Sequence, residues 1–228
     1  MTATPNISTF ISRLAVSLAL LLTSAAASAQ LFRLQRDSVP LLRGFQVSFD
    51  VFGAGMLVLS DYGQYEGALR LNLHDQWFPI VEAGIGKARH ENDLVTGLSY
   101  KTTAPYFRLG ADVNLLKNKH QSNRLYGGFR YAFTSYKIDL WRENLPDPVW
   151  QWNSGFGAFG EKCSQHWLEV VFGVDAQVMG PLHLGWSVRY KRRLFHSDGV
   201  VGKTWYVPGY GIWGDTRLGG SFNVIIDI

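Results

Sequence analysis

The 228-residue chain carries a single cysteine, Cys163. One thiol leaves no partner for an internal disulfide and rules out a paired-cysteine zinc site. The histidines His74, His90, His120, His166, His183 and His196 show no paired metal-ligand spacing, so neither a metal nor another cofactor is expected. A phosphate-cradling glycine loop is missing too, because the glycines recur at strand spacing. Basic residues never run long enough to suggest nucleic-acid binding, and the short cluster Lys191, Arg192 and Arg193 reads as the polar end of a strand. After the first 29 residues no segment reads as a membrane-crossing helix. The formal charge of +4 is mild, and a hydrophobic fraction of 46% is ordinary for a globular chain.

What the chain does have is alternation, clearest in residues 168–193. Leu168, Val170, Phe172, Val174, Ala176 and Val178 fall on one side, against Glu169, Val171, Gly173, Asp175 and Gln177 on the other. A period of two makes this β-strand and not helix. Gly180 and Pro181 interrupt it, and then Leu182, Leu184, Trp186, Val188 and Tyr190 alternate with His183, Gly185, Ser187, Arg189 and Lys191. The product is a hairpin with one apolar face and one charged, glycine-dotted face. Strands of about ten residues that are apolar on one side only are the pattern of a transmembrane β-barrel.

The same pattern recurs at 44–52, 64–74, 79–88, 104–115 and 125–138, and closes with 216–228. The count is about eight, an even number and the smallest common size for an antiparallel up-and-down barrel. Connections near 74–77, 115–124 and 179–181 are short, and those near 53–63, 87–103, 139–165 and 195–214 are long. Strict alternation of short turns and long loops is expected to put both chain ends on the periplasmic side, with the short turns. The final strand stops at Ile228, whereas many such barrels end in an aromatic residue.

Residues 1–29 read as a cleavable signal peptide: Arg13, the apolar run 14–22, then Ala27-Ser28-Ala29 as a small-x-small cleavage site. The run is too short for a membrane span, which takes about 20 apolar residues. Residues 30–43, with Pro40, form a periplasmic lead-in, and residues 44–228 form the barrel. The expected location is the outer membrane of a Gram-negative bacterium.

The polar face carries both signs strand after strand: Asp50, Glu66, Arg70, Glu82, Arg108, Asp112, Arg130, Glu169, Asp175, Arg189, Lys191 and Arg217. Long charged side chains beside glycines suit a narrow lumen, and mixed signs allow the pairing that buried charges require. The apolar face carries Tyr131, Phe133, Trp186 and Tyr190, as lipid-facing girdles require. The charges are therefore expected inside. The long loops hold Trp141, Trp150, Trp152, Phe156, Phe159, Trp205, Tyr206, Tyr210 and Trp213. Such rings form a binding surface or pack together to close the top of the barrel, and both readings stand at this point.

Four stretches carry a family resemblance: 61–67 (DYGQYEG), 104–108 (APYFR), 147–150 (DPVW) and 180–193 (GPLHLGWSVRYKRR). Through them the mature chain resembles an uncharacterised, domain-of-unknown-function family of exported Bacteroidota outer-membrane barrels. That resemblance implies the barrel fold and an exported location, and it brings no activity or catalytic residue. By architecture the chain is also similar to small eight-stranded barrels of the OmpA and OmpX type.

The expected role is structural or interactive, as a subunit of an envelope assembly, with outer-membrane lipids and an outer-membrane or periplasmic protein as partners and no nucleic acid. The chain is not expected to be an enzyme. An alternative is a lipid A acyl hydrolase or transferase that uses Ser164 with His166, or Ser197 with His196, since a hydroxyl nucleophile needs a base within reach and a carboxylate to orient that base. A second alternative is a periplasmic lipocalin-like carrier, which would face its apolar side chains inward.

Overall fold

A computed structural model describes residues 39–146, 153–200 and 202–228. The expected signal peptide, residues 30–38 of the lead-in, Trp150 and Trp152 lie outside the described residues. Eight long strands follow the alternation: β1 (Leu42–Asp50), β2 (Tyr62–Leu73), β3 (Trp77–His90), β4 (Ser99–Asn114), β5 (Arg124–Pro146), β6 (Asn153–Met179), β7 (Leu182–Ser197) and, after two short strands, β10 (Thr216–Asp227). Each pairs antiparallel with its neighbours, and β1 pairs with β10 to close the ring β1-β10-β7-β6-β5-β4-β3-β2. The short strands β8 (Tyr206–Val207) and β9 (Gly211–Ile212) pair only with each other.

Register carries the sequence pattern into two opposed surfaces. On β6 and β7 the pairs Val174↔Trp186, Phe172↔Val188 and Val170↔Tyr190 lie on the outer face, and all six of these side chains are exposed. The pairs between them, Asp175↔Gly185, Gly173↔Ser187 and Glu169↔Lys191, turn inward. Their charged members, Glu169, Asp175 and Lys191, are buried. The same division holds around the ring: Phe49, Leu69, Val81, Leu109 and Phe129 are exposed, while Glu66, Glu82, Arg108 and Arg130 are buried. A soluble fold hides its large apolar side chains, and this one hides its charges.

Inward glycines make space for these charges. A Cβ on Gly110 would lie 2.7 Å from Arg130 Cδ, and one on Gly128 would strike the Asp112 carboxylate. At the opposite end of the wall, the turn from β2 to β3 is made by His74 and Asp75, both at positive φ (60° and 57°). Two left-handed central residues give a turn whose twist matches the flanking strands.

Three expectations are corrected. Residues 51–59, expected as the end of the first strand and part of a long loop, form the helix α1 (Val51–Leu59). Its start is fixed by Asp50, whose Oδ1 accepts from the Phe52 N–H at 3.1 Å, and its end by the Ser60 N–H donating to the Met56 carbonyl at 2.9 Å. Second, β5 and β6 extend as a two-stranded ribbon through the segment expected as a long loop, so their connection shrinks to residues 147–152, and residues 91–98 alone link β3 to β4. The turn-side connection 115–123 is then no shorter than these, and the alternation of short and long is not strict. Third, Cys163, which falls within the segment 139–165 expected as a long loop, lies on β6 with its side chain buried.

Candidate functional site: a paired lumen capped by a hairpin

Strand parity sends one side chain in two inward, so charges from six strands converge at mid-barrel. Glu82 on β3 accepts from three guanidinium groups: Arg189 at 2.8 Å, Arg108 at 3.1 Å and Arg130 at 3.1 Å. Arg108 also bonds Glu66, and its Nε lies 2.9 Å from Glu169 Oε1. Arg189 Nη2 lies 3.1 Å from Glu66 Oε1. Arg130 grips Asp112 through two parallel bonds of 2.6 and 2.9 Å, the fork-to-fork geometry that makes guanidinium pairs strong and directional. Toward the turn side, Arg70 donates to Asp175 at 2.6 Å and lies 3.3 Å from Asp112.

Nine of the twelve residues expected in the lumen network belong to this cluster. Asp50, Lys191 and Arg217 do not share its geometry. Asp50 caps α1 and accepts from the Phe222 N–H of β10 at 3.2 Å. Lys191 lies 4.0 Å from Glu169 and spends its donors on the carbonyls of Gly209 (2.7 Å) and Tyr210 (3.2 Å). Arg217 is half-buried and donates to the carbonyls of Ile212 and Trp213 at 2.6 and 2.7 Å. Parity does not reveal this difference, since it places a side chain on a face without saying which chain segment fills the space in front of it.

Other members were legible only in part. Tyr106 donates to Glu66 at 2.6 Å and Trp167 to Glu169 at 2.6 Å, and Arg124 reaches Gln46 at 2.8 Å. Tyr106 and Gln46 lie on the polar face by simple alternation. Arg124 stands at the edge of a turn, where alternation has only begun.

The middle of the barrel has almost no free volume: the cavity bounded by Glu66, Arg70, Glu82, Arg130 and Arg189 is about 10 Å³. That is at the limit for a single water. Above it, the hairpin of β8 and β9 dips into the mouth of the ring and fills it. Tyr206, Val207 and Tyr210 are buried there. Tyr100 donates to the Tyr206 carbonyl at 2.7 Å, Arg108 donates to the Gly209 carbonyl at 2.8 Å, and Tyr210 packs edge-on against Trp167. Gly209 is required at this point, since its φ is +78° and a Cβ would run into the Tyr106 ring.

For this hairpin, then, the rings close the barrel. Tyr206, one of the loop aromatics for which both readings were open, lies in the interior, where two lumen cations hold the carbonyls of its hairpin. Trp205 is partly covered, stacking on His90 at 5.0 Å, and Trp213 lies under the Arg193 guanidinium at 4.2 Å. Trp141 stacks on Phe159 along the β5–β6 ribbon, and there Phe156 and Phe159 stay exposed.

His90 closes β3 beyond the apolar wall, where Lys87 and Arg89 already point outward. Its Nδ1 lies 2.6 Å from Asp61 and its Nε2 3.4 Å from Asp93. The Asp61 hydrogen bond, aided by Asp93, raises its pKa above the ordinary histidine value. Asp93, which accepts from the Thr96 and Val95 backbone and from the Thr96 hydroxyl, is lowered to about 2.

The serine–histidine pairs do not assemble. His166 lies on the outer face, its Nδ1 2.8 Å from the Tyr131 hydroxyl and its ring stacked on Phe133. Ser164 sits on the same face, and neither it nor Ser197 is hydrogen-bonded to a histidine among the described residues. His196 has Asp198 at 3.3 Å and Trp213 edge-on, so a carboxylate is near while a bonded nucleophile is not. The described residues also hold no cluster of histidine, cysteine and carboxylate side chains able to bind a metal ion.

Residues 7–227 match a family described as a domain of unknown function, DUF6048. The chain belongs to that family. No curated protein and no solved structure matches it. The membership brings no substrate or catalytic residue, so the chemistry rests on the geometry above.

Proposed function

We propose that this protein is a non-conducting outer-membrane β-barrel with a structural or interaction role in the cell envelope. The observation that carries the reading is the inversion of the wall: a continuous belt of exposed apolar side chains outside, and a buried, ion-paired charge network inside. Contiguous apolar surface of this extent marks a membrane or an interface. In a bilayer a closed ring also leaves strand edges without a strand partner only where helix α1 takes the place of β1, beside residues 62–66 and 216–222. A carrier of the lipocalin kind would need the faces reversed. The export signal read in residues 1–29 supports the same location. Among the described residues neither Ser164 nor Ser197 is hydrogen-bonded to a histidine, so the geometry lends no support to the lipid A-modifying alternative. The exposed Phe156 and Phe159 of the β5–β6 ribbon, with the half-buried Trp141 stacked on Phe159, are the surface offered to an envelope protein partner.

Fractionated cells should yield the mature protein in the outer membrane, with unboiled and boiled samples migrating differently on a gel. Purified protein in planar bilayers should give no stable conductance, because the paired side chains and the inserted hairpin leave no continuous aqueous path. Recovery as a soluble periplasmic monomer would refute the location, and steady channels would refute the sealed lumen.

A further inference from the structure

One stretch of the wall is not made of strands. β1 pairs with β10 only from Gln46↔Asp227 to Asp50↔Asn223, and with β2 only as far as Phe49↔Gly67. Beyond that level, residues 62–66 of β2 and 216–222 of β10 have no strand between them, and α1 takes its place. Asp50 makes the change, capping the helix with the same oxygen that accepts from Phe222 on the β10 edge.

The helix is seated asymmetrically. Against β2 it is tight: a Cβ on Gly53 would lie 2.8 Å from Gln64 Cγ, and one on Gly63 would lie 2.5 Å from Leu57 N. Toward β10 it is loose. A Cβ on Gly55 would meet nothing within 4 Å, and one on Gly220 would meet only the Ser187 carbonyl, at 3.7 Å. A glycine-lined seam therefore runs between α1 and β10.

Two cavities flank this seam. The inner one, about 320 Å³, is lined by Asp50, Gln64, Lys191, Tyr206, Tyr210 and Arg217. The outer one, about 580 Å³, is apolar and is lined by Gly55, Leu59, Trp186, Val188 and Phe222. Phe52, Met56 and Gly220 border both, so the two cavities meet at the seam.

The charges at the inner cavity are unlike the rest of the lumen. Of the twelve charged residues expected on the inner face, Asp50 and Arg217 have no opposite charge within 4.0 Å among the described residues, and both line this cavity. The Asp50 carboxylate is buried, and among the described residues its Oδ2 has no hydrogen-bond partner. Arg217 uses Nε and Nη2 on backbone carbonyls. Its remaining amino group, Nη1, makes no hydrogen bond among the described residues. A buried carboxylate that has no opposite charge and whose second oxygen lacks a donor is costly.

We propose that the seam holds a phospholipid with a zwitterionic, amine-bearing headgroup. The ammonium sits on Asp50 Oδ2, the phosphate lies by Arg217 and Lys191, and one acyl chain passes between α1 and β10 into the groove beside Trp186 and Phe222. A zwitterion supplies both missing charges at once, whereas an anionic lipid without an amine leaves Asp50 unanswered. The assignment rests on the outer-membrane reading above, which puts hydrocarbon next to the groove.

The test is native mass spectrometry of the full protein released from maltoside micelles, with lysophosphatidylethanolamine and lysophosphatidylglycerol of equal chain length as probes. One molecule of the amine lipid should be retained, with a preference of about tenfold or more, as expected for a charge-assisted bond. Asp50→Asn should level that preference while the chain still binds. Gly220→Leu should lose both lipids by filling the seam. Gly55→Leu, a change toward better helix propensity into open space, should do the same if Gly220→Leu fails to assemble. Equal retention of the two probes by the wild type, or retention unaffected by both leucine variants, overturns the proposal. If the wild type still shows its heat-dependent gel shift in that case, the barrel reading stands, and loss of the shift removes both.

Discussion

Replacing Glu82 with glutamine tests whether the interior is held by its ion pairs. The carboxylate is buried and faces Arg108, Arg130 and Arg189 at 3.1, 3.1 and 2.8 Å. Glu82→Gln keeps the shape and one acceptor oxygen but removes the negative charge, leaving three close guanidinium groups with reduced compensation. Breaking a buried pair from one side costs about 3–5 kcal/mol, a factor of about 10² to 10⁴ in the folding equilibrium. Urea unfolding of the protein in lipid vesicles, followed by tryptophan emission and by gel migration of unboiled samples, reads this loss directly. The double variant Glu82→Leu/Arg189→Leu removes charge of both signs and should lose less than Glu82→Gln, because apolar replacement of a whole pair is often close to neutral. A Glu82→Gln protein within about 1 kcal/mol of the wild type would refute the reasoning, since that is the range of exposed pairs.

The outer face is tested by Val174→Arg, which puts a cation on the apolar belt and should cost about 2–4 kcal/mol near the bilayer midplane, seen as a smaller heat-modifiable fraction after refolding; normal assembly would mean that the face is not in lipid. At the rim, His90 should titrate above the ordinary histidine value by NMR, and Asp61→Asn should bring it back down. Its folded-state pKa is raised, so its contribution is fully present below the unfolded value of about 6.5 and is lost as pH rises through the folded one. The contact that ties β3 to Asp61 should therefore loosen on the alkaline side, and a pH-independent His90 resonance would contradict it.

The strands were legible wherever one face is apolar and exposed and the other is polar and buried, as on β6 from Leu168 to Val174. The pattern fails where both faces meet the same surroundings. The β5–β6 ribbon beyond Ile138 has exposed residues on both sides, so its sequence loses the period of two, and the segment reads as loop. Helix α1 was hidden for a different reason. Its nine residues, VFGAGMLVL, carry no charge to mark a helical face, and all but Gly53 are at least partly exposed, so no stripe of buried positions forms. Tyr206 and Tyr210 could not be assigned inward because the groups that hold their hairpin, Arg108, Tyr100 and Lys191, are distant in sequence and local pattern does not report them. Charges on the inner face were readable one by one, but their partners were not, since pairing depends on height in the barrel and on shear between strands.

The ladder between β1 and β10 has a consequence for how the ring forms. Every other neighbouring pair of wall strands is adjacent in sequence, so each ladder grows outward from its own connection as a hairpin, with little chain entropy to overcome. The closing ladder joins Gln46 to Asp227, 181 residues apart, and spans only five paired positions. Seven hairpin contacts accumulate locally as an open, curling sheet, and this short clasp fastens last, once β10 has been made and delivered. The edge exposed until then belongs to β1 and β10, which makes those two strands the natural place for an assembly factor to hold the unfinished sheet.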